Sequence, residues 1–400
     1  MSGAESIFPG NRSKPYEALR VAVFHPYGTI VGDGITGGAA YEKSALELLR
    51  ALNGRVNLRL IHLVPETRRR PDSGLTVHGE EVHAYRVSLL ERWVAEKPHN
   101  VVSRIIVKLG LLRTRNALRK RSIDLAYFSS PSHMALRLGD VPYIFTVWDT
   151  GHRDLPSFEE MASPKEFASR ENLYQNAIPK AFHVMVESEA TGKKLEQFYG
   201  LQPKNWSAIG LLPRVDDVPI IQPSIQGDYI IYPAARWRHK NHVTLFGALE
   251  MVLENVPDLK LVLTGADAGY GAELANLISK MSIGEAVIDL GLVSRGELLG
   301  LIKHSKALVM PTLLGPTNIP PLEALALGTH AIISDVHDFG TEVDDLVTKV
   351  SATDFSAWAE AIVRVLGTKN PELVDFSFDK AIETHAAVFE RFRATFPPKI

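Results

Sequence analysis

The sequence contains no cysteine in 400 residues, so disulfides and thiolate metal sites are excluded. It has no excess of either charge. Lys and Arg number 44 against 46 Asp and Glu, a net charge of −2, which argues against a general nucleic-acid binder. It also lacks a membrane-spanning segment. The uncharged stretch Ala307–Leu322 carries four prolines and cannot be a spanning helix. The start, Met1–Tyr16, is polar and has no apolar core of the signal-peptide kind. No D-x-D pair occurs, so nothing obvious chelates a metal–nucleotide complex. The expectation is a soluble, cytoplasmic chain, with any contact with the inner membrane face peripheral.

What is present is an alternation of strand-like and helix-like segments. The chain is too long for one compact core. Leu19–Phe24 and Val56–Val64 read as buried strands, with a helix over Ala39–Leu52 between them. A further strand is expected at Val82–Val87. Helical pattern runs from Val101 to about Arg119, with Ile105, Leu109 and Leu112 on one face. Another helix is expected over Met161–Ala181, and Ser188 reads as an N-cap for Glu189–Tyr199. Proline-rich Leu212–Gly227 reads as a linker, after which the alternation restarts with Tyr229–Tyr232. The expected fold is α/β, with two Rossmann-like, doubly wound parallel-sheet domains facing a cleft. The expected boundaries are a tail at 1–17, an N-terminal domain at 18–212 and a linker at 213–227. A nucleotide-sugar-binding domain at 228–375 and a C-terminal helix segment at 376–400 complete them.

Five stretches carry candidate chemistry. Ala307–Asp335 reads as strand, Pro/Gly loop, short helix and strand. Pro320 suits the first helical position, Gly328 a left-handed cap, and Glu323 the first turn. A glycine-bearing loop that runs into a helix N-terminus is a natural anion site. In the bland alternative Glu323 only complements the helix dipole. Arg236–His242 places Arg236, Arg238 and Lys240 between a strand end and a helix start. There they conflict with the dipole unless an anion is bound; the alternative is a solvated basic loop. Asp149 and His152 follow a buried-looking strand, where an Asp–His arrangement orients a hydroxyl or receives its proton. The alternative there is an ordinary turn. Gly37-Gly38 opens a helix and lets backbone approach a ligand. The preceding Gly32–Gly37 run fits G-x-G-x-x-G only formally, because it lies too far beyond its strand for a dinucleotide fingerprint. The Arg104–Arg121 segment is basic without acidic neighbours. It reads as a solvated face or as a contact for an anionic membrane.

Taken together, Gly37-Gly38, Thr146–Pro156, Val184–Ala190, Tyr232–His242, Leu261–Gly265 and Gly315–Ala324 resemble the large retaining glycosyltransferase family four of the GT-B fold. The similarity is greatest to bacterial mannosyltransferase-like members of polysaccharide and O-antigen assembly, and it runs over roughly residues 20–392. It implies a metal-independent enzyme with no cofactor. Such an enzyme moves a hexose from a GDP- or UDP-sugar to a saccharide or lipid-linked saccharide. Arg238, Lys240 and backbone amides of Thr317, Asn318 and Ile319 would hold the donor diphosphate, with Arg236 a further candidate. Glu323 would bind ribose, Gly37 and Gly38 would approach the phosphate, and Asp149 with His152 would serve the acceptor side. Two positions depart from the family pattern. Gly315 stands where the first of two spaced glutamates is usual, and Trp148-Asp149 stands where His-Asp is common. Other readings are a catalytically silent GT-B module in a glycan assembly complex, and an epimerase or phosphorylase on the same fold.

Overall fold

The computed structural model describes residues 17–25, 37–66, 76–77, 79–97, 100–109, 111–209, 213, 215–216, 218–315 and 318–397. Two sheets account for its strands. The first contains β1 (Leu19–Phe24), β2 (Leu58–Pro65), β3 (Thr76–Val77), β4 (Glu80–Tyr85), β5 (Leu125–Phe128), β6 (Tyr143–Val147), β7 (His183–Val186) and β8 (Trp206–Ala208). Their order is β3-β4-β2-β1-β5-β6-β7-β8, all parallel except for the short β3. The second contains β9 (Tyr229–Pro233), β10 (Lys260–Thr264), β11 (Val287–Asp289), β12 (Ala307–Met310), β13 (His330–Ser334) and β14 (Thr348–Val350). Its order is β11-β10-β9-β12-β13-β14, and every pairing is parallel. The expected pair of doubly wound α/β domains is therefore present.

Burial explains why the central strands read as unbroken apolar runs. Val21–Phe24, Leu125–Phe128 and Ala307–Met310 are at most 1% exposed, because helices cover both faces of a parallel sheet. The switch in strand order falls between β1 and β5 in the first sheet and between β9 and β12 in the second. Chain leaving the carboxyl ends at such points opens a crevice. The helix Asp379–Thr395 belongs to the first sheet's packing. Its Phe389 and Phe392 join Leu49, Leu52 and Val21 in one core, and its His385 Nε2 lies 3.1 Å from the Tyr127 hydroxyl.

Two long helical expectations are corrected. The 101–119 segment is two helices, Val101–Lys108 and Arg113–Lys120, and Gly110 lies between them in the sequence. Leu112 is thereby removed from the face it was expected to share. It is fully buried, while Ile105 and Leu109 are exposed. The 161–181 helix is also divided. Ser163 caps Pro164–Ala177 by accepting from the Glu166 amide, and Pro164 occupies its first turn. Ser188 caps Glu189–Tyr199 as expected, through the Thr191 amide. Gly328 has φ +70°, the left-handed conformation expected of it.

Small residues also fix how the second sheet meets the segment that leads into it. The Ile221 amide donates to the Gly296 carbonyl at 3.1 Å. A Cβ on Gly300 would collide with the Ile221 carbonyl oxygen. The helix Arg295–Lys303 thus carries a flat strip on which 219–221 lies. Gly300→Ala is expected to destabilise the protein by about 1–3 kcal/mol through overpacking, despite alanine's better helix propensity. Denaturant midpoints for the variant and wild type measure this; an unchanged or raised midpoint counts against it.

Candidate active site

The β9/β12 switch point supplies the first group of side chains. Beyond β9, a turn at Arg238–Lys240 ends on Asn241, whose φ of +57° reverses the chain into the helix His242–Leu253. The Asn241 side chain holds that turn by donating to the carbonyls of Pro311 at 2.9 Å and Ala352 at 2.6 Å. Lys240 Nζ then lies 3.4 Å from Asn318 Oδ1, at the start of the helix Ile319–Ala326.

Asn318 occupies the N-cap yet makes no capping hydrogen bond. The reason lies in the sequence. A capping side chain accepts from the second or third helical amide, and these residues are Pro320 and Pro321, which have none. The carboxamide is used elsewhere. Its Nδ2 donates to His337 Nε2 at 3.0 Å, and His337 Nδ1 in turn lies 2.9 Å from the Ser334 carbonyl. Donation to a carbonyl fixes the tautomer, so Nε2 accepts and Asn318 presents its oxygen to Lys240. Burial holds the His337 pKa down, to about 4, so the ring is neutral near pH 7.

Lys240 is the perturbed cation of the site. Burial lowers its pKa to about 8, against the opposing pull of Asp149 and then Glu187. Both carboxylates belong to the first sheet, following β6 and β7, so the ammonium faces acids across the interdomain cleft. Asp149 is itself fixed. It accepts from the Gly151 amide at 2.7 Å and from Arg170 at 3.0 Å. The cleft is closed at its rim. The His239 amide donates to Glu160 at 3.1 Å, the Ala190 amide approaches Asp338 at 3.4 Å, and a Cβ on Gly151 would meet Leu314.

The other expected residues differ in what already engages them. Glu323 is buried and its Oε1 pairs with Arg295 at 2.7 Å. It sits in the second turn rather than the first, because the helix begins at Ile319, and Pro320 is its second residue. Arg238 engages Glu273, at 2.6 and 2.8 Å, and stacks over Tyr270 at 4.3 Å, so it and Lys240 have different partners. Arg236, the further candidate, is engaged within the second domain. It is 3% exposed, and its guanidinium is bonded to the Gly265 carbonyl and the Asp289 carboxylate. Gly37 and Gly38 form the first turn of Gly37–Ala51. The loop before them, with Gly32 and Gly34, and Thr317 lie outside the described residues.

His152 is not on the cleft surface; it is fully buried. Its Nε2 lies 2.9 Å from Glu171 Oε1 and 3.2 Å from the Tyr199 hydroxyl. Arg153 donates to both Glu171 oxygens at 2.6 Å, holding that carboxyl at a pKa of about 2 despite burial. An ionised carboxylate only accepts, so Nε2 carries the proton and Nδ1 is left as an acceptor. Among the described residues Nδ1 has no hydrogen-bond partner. Burial lowers the His152 pKa, which keeps the ring neutral.

Glu160, Glu171, Glu187 and His337 were not singled out from the sequence. Glu187 and His337 had a usable signal, since each follows the carboxyl end of a parallel strand. Glu160 and Glu171 had none, because helical carboxylates are ordinary. Among the described residues no cluster of three or more His, Asp or Glu is placed to hold a metal.

Comparison with known proteins bears on the fold and on the second domain. Residues 221–375, which contain Arg236–Lys240, Asn318 and Glu323, match the glycosyl transferases group 1 family. The chain is 26% identical to the O-antigen chain mannosyltransferase RfbU of Salmonella typhimurium over 193 residues, 48% of this chain and 53% of that one. The match thus spans about half the length of that relative. Among solved structures, sucrose-phosphate synthase from Thermosynechococcus elongatus superposes with a TM-score of 0.66 at 17% identity, covering 94% of this chain and 95% of that one. A glycosyltransferase from Rickettsia africae gives 0.64 at 13%, covering 96% and 100%. At such identities the structures establish the shared two-domain GT-B fold alone, and the residues that match the group 1 family lie within the second domain.

The ionisation of Lys240 is open to direct measurement. The pH dependence of amine acylation, read residue by residue by mass spectrometry, is expected to be half-maximal near pH 8 at Lys240. Ordinary lysines titrate near 10.4. A Lys240 midpoint above 10 would show that burial does not perturb it.

Proposed function

We propose that this protein is a retaining, metal-independent glycosyltransferase. It transfers a mannose-like hexose from a nucleoside diphosphate sugar to a saccharide or lipid-linked saccharide in cell-surface glycan synthesis. The observation that carries the reading is Lys240, a half-buried cation at a helix start on one switch point, facing Asp149 and Glu187 on the other domain. The group 1 domain match and the name of the O-antigen relative support the reaction class and the sugar type.

In this reading the diphosphate lies against Lys240 and the start of Ile319–Ala326. Pro320 and Pro321 offer no amide hydrogen, so the backbone contribution is confined to Ile319 and the residues before it. The ammonium does more of the electrostatic work than at an ordinary helix N-terminus. Glu323, oriented by Arg295, accepts from the ribose hydroxyls. Arg238 reaches the phosphates by exchanging Glu273 for them. As the C1–O bond to the diphosphate breaks, charge grows on the leaving oxygen beside Lys240, in a crevice that excludes water. The acceptor hydroxyl attacks from the same face, and the departing phosphate takes its proton. Asp149 belongs to the acceptor side, where it accepts from a sugar hydroxyl, and the buried, neutral His152 backs that side through Glu171.

Gly315 bears on donor choice. Its φ is +105°, a conformation that a glutamate side chain would occupy only with strain. The loop therefore presents backbone where the family usually presents a carboxylate. The acceptor is proposed to be membrane-associated, with the Arg104–Arg121 segment as the peripheral contact.

Incubation with a panel of GDP- and UDP-sugars and saccharide acceptors is expected to give one lengthened product with a retained anomeric centre. Lys240→Ala is expected to lower kcat by about 10²–10³-fold, or roughly 3–4 kcal/mol. Nucleotide binding without turnover would favour the silent-module reading, and an inverted product would overturn retention. The pKa of Lys240 adds a signed expectation. A bound diphosphate raises that pKa again, so the complex holds more protons than the free protein above pH 8. Nucleotide affinity, measured calorimetrically, is expected to fall as pH rises through about 8, by up to tenfold per unit. Lys240→Arg is expected to abolish that slope. A flat wild-type profile would separate Lys240 from the phosphates.

A further inference from the structure

The helix Val101–Lys108 packs with an inverted arrangement. Its inward side is Ser103 and Ile106, at 1% and 9% exposure, and Ile106 joins Val94 and Leu112 in a small core. Its outward side is apolar. Val101, Val102, Ile105 and the following Leu109 are 68%, 53%, 49% and 67% exposed. At 100° per residue these four fall within one arc of about 100°. Leu89 at the start of Leu89–Glu96 and Leu111 beyond Leu109 are also exposed, at 82% and 52%. Scattered surface leucines need no explanation, but a contiguous aliphatic ridge on a surface helix does.

The charge around the ridge identifies what covers it. Lys97, Lys108, Arg113 and Lys120 are exposed on the same helical unit, and no acidic residue occurs between Lys97 and Ile123. Arg115 and Arg119 are paired with Asp140 and add little free charge. A second protein copy would bring like cations to like cations, because a two-fold contact places the same patch on both sides. A bilayer carrying anionic headgroups meets both requirements, accepting aliphatic side chains at the acyl boundary and ammonium and guanidinium groups at the phosphates.

We infer that the face formed by Val101–Lys108 and the start of Arg113–Lys120 docks on a membrane, inserting Val101, Val102, Ile105 and Leu109 into the interface of an anionic bilayer. This deepens the peripheral contact proposed above and does not depend on the transfer reaction. The insertion is apolar and the charges are its guide, so binding requires both.

Sedimentation with lipid vesicles tests it on the full-length protein. Vesicles containing about one third phosphatidylglycerol are expected to pellet the protein, whereas phosphatidylcholine vesicles leave it in the supernatant. Ile105→Asp/Leu109→Asp is expected to lower the partition coefficient at least about tenfold at unchanged melting temperature. Lys108→Glu/Arg113→Glu is expected to lower it and to flatten its salt dependence. Failure to pellet overturns the inference, as does pelleting that the aspartate pair leaves intact. A concentration-dependent dimer dispersed by the aspartate pair would overturn it in favour of self-association. Transfer to a water-soluble acceptor is expected to survive both double substitutions, so loss of docking and loss of catalysis are read separately.

Discussion

The structure depends on one cation kept partly out of water. An ammonium at Lys240 with a pKa near 8 is tolerated only because acids on the opposite domain offset the cost of its burial. The rest of the crevice can be read as the support this arrangement needs. Asn241 fixes the turn that carries Lys240, Asn318 Oδ1 accepts the hydrogen bond of its ammonium, and His337 prevents the carboxamide from turning over. None of these contacts is large, and each has a partner that determines its orientation. The site is thus organised before any anion arrives, which is the condition under which electrostatic stabilisation of a transition state is worth most.

Proline is the less obvious constraint. Pro320 and Pro321 begin the helix without contributing amides, and they deprive Asn318 of a capping role. A residue with strong N-cap preference is thereby released to a side-chain network. The same absence makes the helix start a poorer anion cradle than a helix with its first amides intact, and it shifts the burden onto Lys240. The two prolines and the lysine are therefore read together, although 80 residues separate them in the chain.

That pairing shows what was legible in the sequence. The two sheets were readable because buried parallel strands such as Leu125–Phe128 and Ala307–Met310 are continuous apolar runs. The Arg236–Lys240 turn and the Asn318–Glu323 helix were readable because strand ends are where polar, glycine-bearing loops collect in this fold class. What was not readable is which charge is already spent. Arg236 and Arg238 look equivalent to Lys240 in the sequence, but Asp289 and Glu273 lie 53 and 35 residues further along, and the fold brings them in. His152 read as an acceptor-side group because it follows the carboxyl end of a strand. The helix Pro164–Ala177 covers it and supplies Glu171. The face of Val101–Lys108 was legible only in part for a related reason. Periodicity reports that a helix has an apolar side, but not whether that side turns to the core, and the break before Leu112 reverses the usual answer.

Domain closure sets the last relation. Glu160 reaches the His239 amide two residues past Trp237, next to Lys240, and Leu314 rests against Gly151 beside Asp149. The rim contacts thus join the loops that carry the candidate groups rather than remote parts of the domains. Opening the cleft would withdraw Asp149 and Glu187 from Lys240. Its pKa would then be set by the opposing effects of renewed hydration and lost acidic neighbours. Hydration favours the ammonium, and so did the acids. The cation can stay charged in either state, while only the closed state has it desolvated and therefore strongly coupled to a diphosphate. In the proposed reading, closure and donor binding are linked through that one side chain, since an anion lowers the cost of burying it and burial strengthens its hold on the anion.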